Sequence, residues 1–191
     1  MRTLYSDRLV IEPVDGGNAR ELWRILGAPD LRRYQDIPRL RAEEFERQVR
    51  ARPRVLEARS TGRFEWLLQV GEAREPIGWV SLRVNERAPD VGEIGYSLIE
   101  AARGAGYATE ALATIVDEAF TVSELGELQA CCVPENVSSR AVLERAGFRE
   151  VRLLRGGAMI RGRHVDVLLY SVARGQWHRA RRSQTARSES G

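Results

Sequence analysis

The chain has 191 residues, 43% of them apolar and 30% charged, which excludes both a low-hydrophobicity disordered chain and a small domain that must lean on disulfides or a structural metal. All 30 basic residues are arginine, and the formal net charge is +3. That excess sits wholly in residues 179–191, which carry Arg179, Arg181, Arg182 and Arg187 against Glu189; the balanced remainder argues against nucleic acid as a partner.

Charged residues stand early, at Asp7 and Arg8, and no long apolar run follows, so the sequence predicts a cytoplasmic protein with no signal peptide and no membrane span. Cys131 and Cys132 are adjacent; on a strand they point to opposite faces and form no bridge with each other. With only His164 and His178 besides, no metal site is expected.

In chain order, residues 8–13 predict a first strand. Two helices follow over 16–27 and 41–51, with Leu22, Trp23, Leu26, Phe45 and Val49 as buried positions. Strands over 63–70 and 76–84 flank the turn GEARE, and the next strand runs over 91–99. From Ala108, positions 108, 111, 112, 115, 116 and 119 are all apolar, the signature of an amphipathic helix over 107–122. A strand over 127–133 comes next, then a helix over 137–146 ended by Gly147. Strands over 148–154 and 164–172 make a hairpin with a long Gly- and Arg-rich connection. The last 13 residues, RARRSQTARSESG, have no apolar period and predict a disordered tail on a single domain of 1–178. Helices among strands of mixed spacing predict an α/β (α+β) architecture, with 91–133 as a strand–helix–strand unit able to pair in parallel.

The chemistry concentrates at the start of helix 107–122. In RGAGYATEAL, Gly104 and Gly106 let the backbone turn sharply, so that its N–H groups and those of the helix N-terminus converge on one spot, and Arg103 adds a full positive charge. This is an anion site, most simply for a phosphate or pyrophosphate, or else a tight turn with nothing bound. It is neither a Walker loop nor GxGxxG.

The segment GEIGYSLIEAARGAGYATEAL resembles the acetyl-CoA-binding core of the GNAT superfamily of N-acetyltransferases, with its R-x-x-G-x-A signature at Arg103, Gly104, Ala105, Gly106, Tyr107 and Ala108. PENVSSRAVLERAGF resembles the second block of the superfamily, at Asn136, Ser139, Gly147 and Phe148. The opening DRLVIEP and the ending HVDVLLYSV look like the Rim-type branch, which acetylates ribosomal-protein N-termini and, in many relatives, small amines. The resemblance covers about residues 5–175. It implies a splayed central sheet of about seven strands flanked by about four helices, with acetyl-CoA as co-substrate and no metal. It leaves a homodimer open.

The implied roles fall on particular residues. The pyrophosphate falls to 103–108, and the pantetheine arm to the strand Glu93–Ile99, including Leu98 and Ile99. Gly92 and Gly95 would permit its close approach, and a backbone N–H near Ile94 or Gly95 would face the developing oxyanion. In ideal alternation Glu93 shares a face with Val91, Gly95, Ser97 and Ile99. It is the candidate base, or else a solvated or salt-bridged strand residue. Asn136 is an N-cap, a hydrogen-bond partner of the pantetheine, or both. Ser139, one turn later, is the candidate acid toward the leaving thiolate. Many family members place a tyrosine acid seven residues after the asparagine; this chain has Leu143 there. His164 and Asp166 share a strand face and read as a solvated strand end rather than a catalytic pair. The cysteines read as small buried apolar residues rather than an acetyl-cysteine site. Trp23, Trp66 and Trp79 read as core, with one of them or Tyr34 against the acceptor. The function expected is acetyl transfer from the thioester directly to a primary amine, of a protein N-terminus or a small molecule. The alternative is a non-catalytic acyl-CoA-binding module on the same fold.

Overall fold

The computed structural model describes all residues except 30, 32–33, 36–39 and 189–191. Its eight strands are β1 (Leu4–Tyr5), β2 (Leu9–Pro13), β3 (Gly62–Val70), β4 (Glu75–Asn85), β5 (Ala88–Leu98), β6 (Glu127–Cys132), β7 (Arg149–Ile160) and β8 (Arg163–Ala173). Its helices are α1 (Ala19–Leu26), α2 (Ala42–Arg50), α3 (Tyr107–Val122), α4 (Val137–Arg145) and α5 (Arg174–Ser188). The strands form one sheet in the order β1-β2-β3-β4-β5-β6-β8-β7. Every pairing is antiparallel except β5 with β6, where α3 is the crossover that parallel strands need.

The two faces of the sheet are covered separately. Ala108, Ala111, Leu112, Ile115, Val116 and Ala119 of α3 are all buried, as their spacing predicts, against Phe64, Trp66, Leu82, Ile94, Leu128 and Tyr170. On the other face, Leu22, Ile25, Phe45 and Val49 of α1 and α2 pack on Leu67 and Trp79. Glu65 lies buried on β3, with Leu67 its next neighbour on that face, and is held by Arg63 at 2.8 Å and by Arg52. A buried carboxylate requires such partners.

Three expectations change. The strand pair β7–β8 is longer than its hydrophobic pattern indicates. The Gly- and Arg-rich stretch is strand, with register shifts between Glu150 and Arg152 and between Leu154 and Ala158. It closes through Arg161 and Gly162, both at positive φ as a tight hairpin turn requires. A two-residue strand, β1, precedes the first predicted one.

The segment from Arg179, expected to be disordered, continues α5 to Ser188. Trp177 anchors this helix: its ring is buried and its indole N–H donates to Asp117 on α3, which also pairs with Arg181. Tertiary contact and the helix-favouring Arg, Ala and Gln content outweigh the missing apolar period. At the start of α5, Arg174 donates to the carbonyls of Phe120, Ser123 and Leu125, the last at 2.7 Å, and so closes the C-terminal end of α3. Among the described residues, no helix is long and apolar enough to cross a membrane.

Candidate active site

The sheet opens between its two parallel strands. Ladder pairing of β5 with β6 is limited to Val91–Glu127, Gly92–Leu128 and Glu93–Gln129, although β5 continues to Leu98 and β6 to Cys132. Beyond Glu93 the strands diverge, and a cleft of about 790 Å³ lies in the gap. That size suits a small organic ligand.

The register decides which backbone groups face the gap. Ser97, Gly95 and Glu93 oppose Trp79, Ser81 and Arg83 on β4, and the Ile99 N–H donates to the Ile77 carbonyl at 2.9 Å. Antiparallel alternation therefore turns the odd-numbered residues toward β4 and the N–H and C=O groups of Ile94, Tyr96 and Leu98 toward the gap. Two of those carbonyls are already taken. Gln35 donates to Tyr96 O at 2.9 Å, and Arg103 donates to Leu98 O at 2.9 and 3.1 Å. Of the two N–H groups expected near an oxyanion, that of Ile94 faces the gap and that of Gly95 faces β4.

At one end of the cleft is the glycine turn. Gly104 and Gly106 have φ of +81° and +85°, values that side-chain-bearing residues resist, and Gly106 caps α3 with no side-chain hydrogen bond to the first turn. Gly104, Gly106, Tyr107 and Ala108 line the cleft. Donors without side-chain caps at a helix start, held by a left-handed glycine, fit a phosphate. The turn is clamped from outside. Arg8 donates to the Ala105 carbonyl at 2.8 Å, stacks on the Tyr107 ring at 4.7 Å and pairs with Glu110, to which Ser6 also donates at 2.7 Å. Burial tends to raise the Glu110 carboxyl, but these hydrogen bonds outweigh it and hold it below its usual range. Arg8 and Glu110 carry no motif, and the sequence reading missed them.

The remaining expected residues divide. Leu98 lines the cleft, whereas the Ile99 side chain packs into the two cores beside it. Arg103 lines the cleft but spends two donors on closing the end of β5. Gly95 lines the cleft, with Ser81 and Trp79 behind it. Gly92 does not serve cofactor approach: a Cβ there would meet Leu82 and Leu128 at 2.6 and 2.7 Å, so packing explains it. Glu93 lines the cleft and is salt-bridged to Arg83, with both side chains about half exposed, as the solvated or salt-bridged reading expects. Tyr34 and Trp79 also line the cleft, while Trp66 is core and Trp23 donates to Leu40 O.

Across the gap, Asn136 caps α4 by accepting from the Ser139 N–H at 3.2 Å, and both residues line the cleft. Leu143 is fully buried in the core, so position 143 offers the cleft nothing. A hydroxyl comes from β5 instead. The Tyr96 phenol lies 2.8 Å from Ser139 Oγ and donates to Ser139 O at 3.1 Å. Burial raises the Tyr96 pKa, so the phenol is protonated at neutral pH. A tyrosine on a core-facing position requires a partner for its hydroxyl; that is the sequence signal for this pair. Burial also pushes the Cys132 thiol up to about 11, which leaves it a poor nucleophile; its neighbour Cys131 is exposed on the opposite face. His164 and Asp166 are exposed, and both bond the backbone of Gly156 within the β7–β8 hairpin, away from the cleft.

Residues 8–149 match the family model described as acetyltransferase (GNAT) domain. The chain belongs to that family. This GNAT chain is 26% identical over 178 residues to the N-acetyltransferase p20 of Bacillus licheniformis, an alignment spanning 93% of this chain and 99% of the relative. Its fold matches the ribosomal-protein-S5-alanine acetyltransferase of Vibrio fischeri with a TM-score of 0.77 at 18% identity, covering 93% and 99% of the two chains. It also matches the spermidine N-acetyltransferase of Vibrio cholerae, solved with CoA and spermine, with a TM-score of 0.76 at 18% identity over 90% and 99%. The chain is an N-acetyltransferase, and the diverging β5 and β6 are the splayed strands expected of it.

Proposed function

We propose that the protein, as one domain, transfers an acetyl group from acetyl-CoA directly to a primary amine in a cytoplasmic setting, without a metal and without an acetyl-cysteine. The observation that carries this reading is the gap beyond Glu93, where unpaired strand donors, the glycine turn and Ser139 line one cleft.

Acetyl-CoA would supply the activated acyl group and the thiolate leaving group. The N–H groups of Gly104, Ala105, Gly106, Tyr107 and Ala108 would hold its pyrophosphate, with Arg103 fixing the strand end beside them. The backbone of Ile94–Leu98 would take its extended arm as an added strand, with Asn136 opposite. The Ile94 N–H stabilises the carbonyl oxygen as it gathers charge. Glu93 takes the amine proton directly or through water, and Ser139, held by Tyr96, gives a proton to the departing sulfur. An α-amine near pKa 8 is partly neutral already, and the Arg83–Glu93 pair supports a second reading in which the site mainly orients such an amine.

The acceptor is either a protein N-terminal α-amine or a small-molecule amine. The S5-alanine and spermidine acetyltransferases of similar fold span both classes. The test is release of free CoA over a panel of peptides and amines. Turnover with any primary amine supports transfer; CoA binding without turnover on the whole panel supports the non-catalytic module.

A further inference from the structure

β8 pairs with β6 only from Leu168 onward, and Leu168 sits opposite Cys132, the last residue of β6. Residues 163–167 of β8 and their β7 partners therefore run past the end of β6 as a two-stranded arm. Five residues at strand rise give it a reach of about 17 Å. It projects beyond the same end of the parallel pair at which the cleft opens.

The surface of this hairpin concentrates arginine. Arg149, Arg152, Arg155, Arg161 and Arg163 are all exposed, and among the described residues none of their guanidinium groups makes an ion pair or hydrogen bond. Elsewhere Arg2, Arg8, Arg52, Arg63, Arg83 and Arg174 are engaged, while exposed arginines such as Arg24, Arg47 and Arg87 stand singly on other elements. The two acids of the hairpin are exposed but engaged: Asp166 accepts from the Gly156 N–H at 2.8 Å, and Glu150 accepts from the Tyr170 hydroxyl at 3.2 Å and pairs with Arg140 at 3.9 Å. Val151, Leu153 and Met159 are exposed between the arginines. β7 is also the last strand of the sheet, so its outer backbone edge has no strand beside it.

We infer that the β7 edge of this arm docks an extended acidic polypeptide segment, with carboxylates meeting the arginine row and backbone groups meeting the open edge. A second copy of the chain is disfavoured, since it would bring two arginine-rich edges together. Nucleic acid is disfavoured because the open strand edge offers backbone pairing to a polypeptide, while residues 149–167 contain no Phe, Tyr or Trp on which bases could stack. The docking surface lies outside the cleft and does not depend on the chemistry of transfer.

The experiment uses the full chain and three labelled probes: an acidic Glu/Val 16-mer, a neutral Gln/Val 16-mer and a single-stranded RNA of equal charge. Anisotropy at low and physiological salt should show the acidic peptide binding at least tenfold tighter than the neutral one, and tighter than the RNA. R155E/R161E/R163E should lose at least tenfold of that affinity, and R155Q/R161Q/R163Q a smaller part, with CoA affinity and melting temperature unchanged in both. Equal binding of the two peptides, stronger binding of the RNA, or sedimentation showing a dimer that L153R dissolves would each overturn the inference.

Discussion

The glycine turn supports a decisive two-variant experiment. At Gly104 φ is +81°, yet an added Cβ would meet nothing within 4 Å. Gly104→Ala therefore isolates backbone strain, about 1–2 kcal/mol for a left-handed residue with a side chain. In a chain of this size that lowers the melting temperature by roughly 2–8 °C. Gly104→Asp carries similar strain or less, and adds a carboxylate where phosphates should sit. One such charge about 6 Å from one phosphate costs about 3 kcal/mol at an effective dielectric near 20. Salt screening leaves on the order of 1.5 kcal/mol, or about tenfold in affinity. Calorimetric titration with CoA should thus rank wild type and Gly104→Ala together and Gly104→Asp at least tenfold weaker than Gly104→Ala. If the folded Asp variant binds CoA as tightly as the Ala variant, the phosphates do not lie in this turn.

Glu93→Gln should leave CoA affinity and stability nearly unchanged, because its half-exposed pair with Arg83 contributes little, while kcat falls roughly 10²–10⁴-fold if Glu93 is the base; full kcat at pH 6.5 would leave only the orienting mechanism. Tyr96→Phe should lower kcat without changing CoA affinity, and should cost nothing further in a Ser139→Ala background, since the phenol acts through that hydroxyl; additive losses in this kinetic cycle would separate the two residues. The Glu110 carboxyl is held down in the folded state, so its stabilising share is complete above the unfolded value of about 4.3 and is lost as pH falls through the lower folded one. Acid denaturation curves should accordingly converge for wild type and Glu110→Gln at the acid end and separate above about pH 4. Truncation after His178 removes the exposed Arg181–Asp117 pair and should cost at most about 1 kcal/mol, whereas Trp177→Ala should cost about 3–5 kcal/mol, read from chemical denaturation.

The elements most legible in the sequence are those with periodic burial. The six apolar positions of α3 face the core as their spacing requires, and the glycine turn that the sequence singles out lines one end of the cleft. Parity along β5 put Glu93 on the open face. It does not reveal Arg83, because that partner lies on another strand, ten residues away. Arg8 and Glu110 are 102 residues apart, and no local pattern marks such a clamp. The β7–β8 arm escaped because glycines and arginines signal a loop unless a ladder partner is known. Residues 28–60 are legible only in part: helix α2 follows from its apolar spacing, while residues 30, 32–33 and 36–39 lie outside the described ones.

Arg174 gives the chain a direction in time. The carbonyls of Phe120, Ser123 and Leu125 receive their donor from a residue 49 to 54 positions later. On the ribosome, α3 emerges with its far end open and stays so until the last strand has been threaded beside β6. The helix whose first turn borders the cleft is therefore finished only after Arg174 has been made. A nascent fragment ending before Arg174 should fray at α3 and be cut there by protease, while the completed chain resists. A finished α3 is thus a property of the closed sheet rather than of the helical segment alone.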